Sequence, residues 1–117
     1  MADVLNNIIR NFMADVATIA ISTTTSGAVD LKGRGLVQII MPAAFTGTAI
    51  SFQSSPDNVT FYDLYNTANT ALSVTVTQGR AYAIDPGDLV GVRYLKIVSN
   101  DTETAARSII LISRELA

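Results

Sequence analysis

Hydrophobic residues recur along this chain with two different periods. Between residues 2 and 13 the apolar positions are Val4, Leu5, Ile8, Ile9, Phe12 and Met13, an i, i+1, i+4, i+5 pattern that lays one stripe along a helix. Asn6, Asn7, Arg10 and Asn11 take the opposite face, and Asp3 stands near the positive end of the helix dipole. The asparagines lower intrinsic helix propensity, so such a helix needs packing to persist. It folds onto its own domain, serves as an arm that docks on a neighbouring subunit, or frays into disorder. Residues 1 to 14 are read as this amphipathic arm, and residues 15 to 117 as one β domain.

After Asp15 the period falls to two. "VATIAIS" alternates over residues 16 to 22, and a short strand is expected near Val29 to Leu31. "LVQIIM" reads as a buried-type strand, and Pro42 ends it because proline cannot donate to a ladder. "GTAISFQS", "VTFYDLY", "ALSVTVT" and "RAYAID" follow at intervals of roughly 8 to 12 residues, the spacing of an all-β sandwich. "PGDLVG" reads as a turn or one helical turn beginning at Pro86. "VRYLKIVS", the polar loop "NDTETAA" and "RSIILIS" complete the chain. The expected fold is an all-β, jelly-roll-like antiparallel sandwich of about eight strands, preceded by a short helix.

Turn chemistry predicts two hairpins. A type I turn at Ser55, Pro56, Asp57 and Asn58, with Asn58 left-handed, pairs Ser55 with Val59. Phe52 then faces Tyr62 and Ile50 faces Leu64 on the core side. Gln53 meets Phe61, Ser51 meets Asp63 and Ala49 meets Tyr65 on the other. On this reading Phe52 and Tyr62 point inward, and Phe61 and Tyr65 outward. A second turn at Val76 to Gly79, with Gly79 left-handed, pairs Val74 with Tyr82 and Leu72 with Ile84.

Composition narrows the chemistry. The 117 residues suit one domain with a core of its own. Apolar residues make up 49% and charged residues 15%, a balance that argues against disorder and fits a largely neutral surface packed among partners. A net charge of −2 supplies no basic excess to neutralise phosphates, so no nucleic acid is expected as a partner. The N-terminus has neither the uninterrupted apolar stretch of a secretory signal nor, anywhere later, a run approaching the ~20 apolar residues of a membrane helix, so no membrane partner is expected. Cysteine and histidine are both absent. Disulfides, thiolate metal sites, and the usual general base and transition-metal ligand are thereby removed.

The 10 carboxylates are scattered. Asp57 and Asp63 flank the first hairpin, and Asp85 and Asp88 bracket Pro86-Gly87; calcium or acid–base work is conceivable, but ordinary turn chemistry accounts for them better. No phosphate loop, nucleophile elbow or zinc spacing occurs. No catalytic residue, metal or cofactor is expected. Asn58-Val59-Thr60 and Asn100-Asp101-Thr102 match the N-glycosylation tripeptide, which arises often by chance. The outward rings Phe61 and Tyr65 remain. They are covered by a second sheet or by the helix, or anchor a protein partner, or stack on a sugar with Gln53, Ser51 and Asp63 nearby. Together with Val4, Leu5, Ile8, Ile9 and Phe12 they make up the candidate partner interface.

The stretches "GTAISFQSSPDNVTFYDLY", "SVTVTQGRAYAIDPGDLVGVRYLKIVS" and "ARSIILI" resemble small β-sandwich proteins encoded among the virion genes of tailed bacteriophages. The similar features are Met41 to Gln53, Ser55 to Leu64, Asp85 to Lys96 and Arg107 to Ile112. The likeness spans residues 15 to 113 and leaves the N-terminal segment out. Its hairpin motif is also similar to that of discoidin-type and other sugar-binding sandwiches. The resemblance implies a non-enzymatic structural virion protein, best fitted by a capsid decoration (cement) protein on the capsid exterior, made in the bacterial host cytoplasm. The implied partners are the major capsid protein and further copies of the chain, as a homotrimer. A tail or head-fibre component and a carbohydrate-binding module for host adsorption are the alternatives.

Overall fold

Alternation of buried and less buried side chains marks most of the long strands of the computed structural model, which describes residues 12 to 115. The elements in chain order are β1 (Phe12–Ile19), β2 (Val29–Asp30), β3 (Gly35–Ile40), β4 (Ala49–Ser55), β5 (Tyr62–Asp63), β6 (Ser73–Thr75), β7 (Ala81–Ala83), α1 (Pro86–Leu89), β8 (Tyr94–Ser99) and β9 (Arg107–Arg114). They form two antiparallel sheets. The first has the order β1-β9-β3-β7; the second runs β2-β8-β4, and β5 and β6 share the remaining edge of β4. The inward residues of both sheets meet between them. Ala17, Ile19, Leu36, Ile39, Ile109 and Leu111 come from the first; Val29, Ile50, Phe52, Leu95 and Ile97 come from the second. Fully burying a side chain of this size stabilises by roughly 1.5 to 3 kcal/mol. The expected sandwich is the observed one, with nine strands among the described residues.

The helix expected over residues 2 to 13 lies almost wholly outside the described residues. Its last two members, Phe12 and Met13, belong instead to β1, where they pair with Arg114 and Ser113. Backbone pairing to β9 decides their conformation.

The first hairpin closes two residues later than expected. Its ladder is Gln53 with Asp63 and Ser54 with Tyr62, and the Leu64 amide donates to the Phe52 carbonyl. The cause is Asp57. One carboxylate oxygen, Oδ1, accepts from the amides of Val59 (2.9 Å) and Thr60 (3.1 Å), and so holds both residues in the loop. Ser55 Oγ accepts from the Asn58 amide, and Asn58 takes the expected left-handed conformation (φ 61°). The shift by two preserves the parity of the pleat but carries Tyr62 past the end of the core. It is 62% exposed, not inward, whereas Phe52 is buried as expected. Ile50 faces Val74 and Ser99 rather than Leu64.

The second predicted hairpin does not form. Its turn exists, and Gly79 is left-handed (φ 74°), but the flanking strands go to different sheets: β6 to β4, and β7 to β3. The Gly79 amide reaches the Pro42 carbonyl, and the Val76 amide reaches the Thr48 carbonyl. Leu72, Val74, Tyr82 and Ile84 still turn toward the core, each half-buried against it. Two apolar strands joined by a turn satisfy the same burial as a hairpin or as a crossover between layers. Free edges on β3 and β4 favoured the crossover. A tight reversal instead lies between β5 and β6, closed by an isolated bridge of Tyr65 with Ala71 and turning through Asn66 to Asn69. There Asn66 Oδ1 accepts from Ala68 and Thr70 and Asn69 is left-handed (φ 60°). Gly79→Ala places a Cβ in the left-handed region and destabilises the domain by about 1 to 2 kcal/mol, measured by denaturant titration.

Candidate interaction surfaces

The outer faces of the two sheets differ in character. On the second sheet, Lys96, Gln53 and Asp63 form one cross-strand row, with Gln53 Nε2 donating to Asp63 Oδ1 at 3.1 Å. Val98, Ser51 and Ser73 form the next. At the β2 edge Arg93 pairs with Asp30 (Nε to Oδ1, 2.7 Å) and lies over the Tyr94 ring. The Arg93 hydrogen bond holds the Asp30 carboxyl below its ordinary pKa, ahead of the smaller opposing effect of burial. This face is polar and self-satisfied.

The outer face of the first sheet is apolar. Val16, Ile110, Ile40 and Ala81 are register partners across all four strands, and Ala14, Ile112, Gln38 and Ala83 form the adjacent row. Their neighbours Ala17, Ile39, Ile109 and Leu111 point into the core, so these point away from it. Val16 is 54% exposed and Ile110 37%. At one end Phe12 opposes Arg114, whose guanidinium lies 5.7 Å from the ring centroid. Arg114 is the single ionisable side chain in these rows among the described residues.

The aromatic corner lies at the β4–β5 end. Tyr62 and Tyr65 are more than half exposed, and Val59 crowns the loop at 80%. Phe61 is half-buried, with the Lys96 ammonium 4.3 Å above its ring. A cleft of about 110 Å³ opens between β6, β7 and α1. Phe52, Leu72, Val74, Ile84 and Leu89 line it, with Asp85 and Asp88 at its rim. That volume is well below the ~300 to 1,000 Å³ of a drug-sized ligand site.

Among the described residues, Glu103 is the one carboxylate whose burial is complete. It accepts from the Thr46 amide (2.9 Å), the Gly47 amide (3.1 Å), Ser99 Oγ (3.0 Å) and Arg107 Nε (3.0 Å). Burial pushes its pKa up, but the Thr46 amide, the Ser99 hydroxyl, the Arg107 guanidinium and the Gly47 amide together outweigh that and lower it. Four donors occupy the carboxylate. It is a clasp joining the loop after β3 to the β8–β9 connection. Gly47 is glycine for this reason: a Cβ there would collide with Ser99 Oγ and Phe45. No group of three or more possible metal ligands exists among the described residues. No helix among them is long and apolar enough to cross a membrane.

No protein-family model matches the sequence, and neither does any curated protein. Solved structures do share the fold. The crystal structure of the SPBc2 prophage-derived protein YomS superposes with a TM-score of 0.53 at 14% identity, over 86% of this chain and 94% of that one. CBM32-1 from a family 31 glycoside hydrolase of Clostridium perfringens superposes with a TM-score of 0.52 at 15% identity, over 88% of this chain and 76% of that one. At such identities the likeness is one of fold.

Of the candidate interface residues, Val4, Leu5, Ile8 and Ile9 lie outside the described residues. Phe12 sits on the apolar outer face of the first sheet, not on a helix. Tyr65 points outward as expected, and Phe61 is partly shielded by Lys96. Phe12 and the two rings stand on different sheets and do not form one patch. Sequence reasoning missed the apolar outer face. Its signal was present in "LVQII" and "SIILI", runs too continuously apolar for strands with one wet face.

Proposed function

We propose that this chain is a structural virion protein of a tailed phage, and within that class a capsid decoration protein that binds and braces the assembled major capsid lattice as a homo-oligomer, in the form of a trimer. The observation that carries the reading is the apolar, nearly uncharged outer face of the β1-β9-β3-β7 sheet, a surface suited to permanent contact and poorly suited to water. The fold shared with a prophage-derived protein over nearly the whole of both chains supports the phage setting. A decoration protein needs no catalytic group, and none is assigned here. It stabilises the shell by binding the assembled lattice better than free subunits, and weak contacts from several copies add through effective concentration. On this reading the chain acts at the capsid exterior.

A second reading is a carbohydrate-binding module for host adsorption. It is favoured by the exposed rings of Tyr62 and Tyr65 beside Gln53 and Asp63, and by the fold shared with CBM32-1. Co-sedimentation separates the two. The purified chain pellets with emptied heads of a tailed phage that carries a closely similar gene, and Tyr62→Ala with Tyr65→Ala leaves that binding within about twofold. If the chain stays in the supernatant yet binds a glycan array through those tyrosines, the decoration reading is wrong.

A further inference from the structure

The two sheets part along β6 and β7, and the sandwich is open there. We propose that this seam docks an extended segment of a partner protein, which adds to the free edge of β7 and places a lysine side chain in the adjoining cleft. The inference goes beyond the proposed function, because neither the decoration reading nor the carbohydrate reading requires this contact.

Three features meet at the seam. The first is a strand edge open to pairing. β7 ends its sheet. The Ile84 amide donates to the Val37 carbonyl and the Met41 amide to the Arg80 carbonyl, so the backbone groups of Arg80, Tyr82 and Ile84 face β3. By alternation those of Ala81 and Ala83 face away from it, and they have no backbone partner among the described residues. No charge or proline stands between Arg80 and Asp85 to keep another strand off. The second feature is the cleft of about 110 Å³, whose wall includes Ala83 itself. A segment laid along β7 turns every other side chain toward the gap between the sheets, so one of them enters the cleft. That volume suits a single side chain rather than a small-molecule ligand.

The third feature is the chemistry of the cleft. Its floor is apolar, and Asp85 and Asp88 stand at its rim. Neither carboxylate pairs with a cation among the described residues. An apolar floor under an acidic rim complements a side chain with an apolar stem and a cationic tip. Lysine fits better than arginine. The Gly87 amide already holds Asp85 Oδ1 at 3.0 Å, and a compact ammonium serves a single free oxygen where the guanidinium fork calls for two. The chain's own two lysines do not supply the occupant. Lys96 lies in β8, inside the second sheet, with its ammonium over the Phe61 ring. Lys32 sits in a turn with left-handed backbone (φ 53°), which no extended segment adopts. The occupant is therefore a different protein.

The test titrates the full chain with short capped peptides that alternate threonine and valine, the central residue being lysine, arginine, norleucine or glutamate. Backbone amide shifts report the binding. The lysine peptide should bind saturably, shift the Ala81 and Ala83 amides, and hold about fivefold tighter than the norleucine peptide or better. The variant Asp85→Asn with Asp88→Asn keeps its helix cap, because asparagine caps as well as aspartate. It should lose that fivefold preference and bind the norleucine peptide as the parent does. Ala83→Pro removes one outward amide, a change that edge strands tolerate, and should abolish binding of both peptides while the melting temperature stays near the parent's. A lysine peptide methylated at its backbone nitrogens should fail to bind the parent chain, which tests the edge without altering the protein. Four outcomes overturn the inference. One is that the arginine, norleucine or glutamate peptide binds as tightly as the lysine peptide. Another is that the shifts fall on β1, β2 or β5 instead of β7. A third is that the Ala81 and Ala83 amides shift with protein concentration alone, which means that a second copy takes the edge. The last is that no peptide binds saturably.

Discussion

Glu103→Gln lowers the stability of the domain by about 3 to 5 kcal/mol, the range for removing one partner of a buried charge pair. Four donors converge on the carboxylate. An amide of the same shape accepts at one atom only and turns its own N–H groups toward two of them. Arg107, with its side chain 14% exposed, then has no counter-charge at Nε. At roughly 4 °C per kcal/mol for a domain of this size, the melting temperature falls by about 12 to 20 °C. That is a large share of a total stability on the order of 5 to 15 kcal/mol. The pH dependence has a definite sign. The folded pKa of Glu103 lies below its unfolded value, so its contribution is fully present above the unfolded pKa and is lost as pH falls through the folded one. Below that range parent and Glu103→Gln converge. Melting curves from pH 7 down to pH 2 test this, with Asp63→Asn as a surface control shifting by no more than about 0.5 kcal/mol. A glutamine variant that melts with the parent at pH 7 would falsify the clasp.

The second large effect concerns β1. Asp15 faces inward on this edge strand and accepts from Arg34 Nη2 at 3.1 Å, while Arg34 Nε donates to Ser113 at 2.9 Å. One guanidinium thus pins β1 to β9 from the chain just before β3. Arg34 is nearly buried and Asp15 is 30% exposed. Asp15→Ala should therefore cost roughly 2 kcal/mol, between the ~1 kcal/mol of an exposed pair and the larger penalty of a buried one. Because β1 is an edge strand whose other side meets only the Ser26–Gly27 backbone, at its Thr18–Ile19 end, among the described residues, the loss is local. Amide exchange should accelerate at least tenfold along Ala14 to Thr18 while β4 and β8 keep their protection. Uniform acceleration across both sheets would mean that β1 does not open on its own. On the proposed homo-oligomer, self-association should weaken in the same variant, since β1 carries Phe12 and Val16 on the apolar face.

Local chemistry was legible to different depths at different places. The left-handed residues Asn58 and Gly79, the helical turn at Pro86 capped by Asp85, and the end of β3 before Pro42 all follow from single-residue conformational limits. Tyr62 shows where such reasoning stops. Its parity was read correctly, but its exposure depends on how many residues the Asp57 carboxylate retains in the loop. A carboxylate can cap one amide or several without any change of sequence pattern. The clasp at Glu103 was not legible at all. Its donors come from Thr46, Gly47, Ser99 and Arg107, and no spacing rule connects a loop after β3 to the β8–β9 connection.

What the amino-acid sequence determined by itself is most of the strands, the side of the pleat that carries Ile50, Phe52, Leu72, Val74, Tyr82 and Ile84, and an inventory without histidine or cysteine. These depend on side-chain period and identity, which are local quantities. Tertiary structure alone decided which strands pair. The stretch from Leu72 to Ile84 carries a turn and two apolar runs, yet it became a crossover between sheets, because β3 and β4 each offered an open edge to hydrogen-bond. Tertiary structure also decided that the doubly apolar runs in β3 and β9 bury one face in the sandwich and turn the other outward, uncovered by any other sheet among the described residues. Period-two alternation fixes sides of a pleat, but backbone hydrogen bonds are indifferent to side-chain identity. Pairing is therefore chosen by which edges the assembled sandwich leaves open.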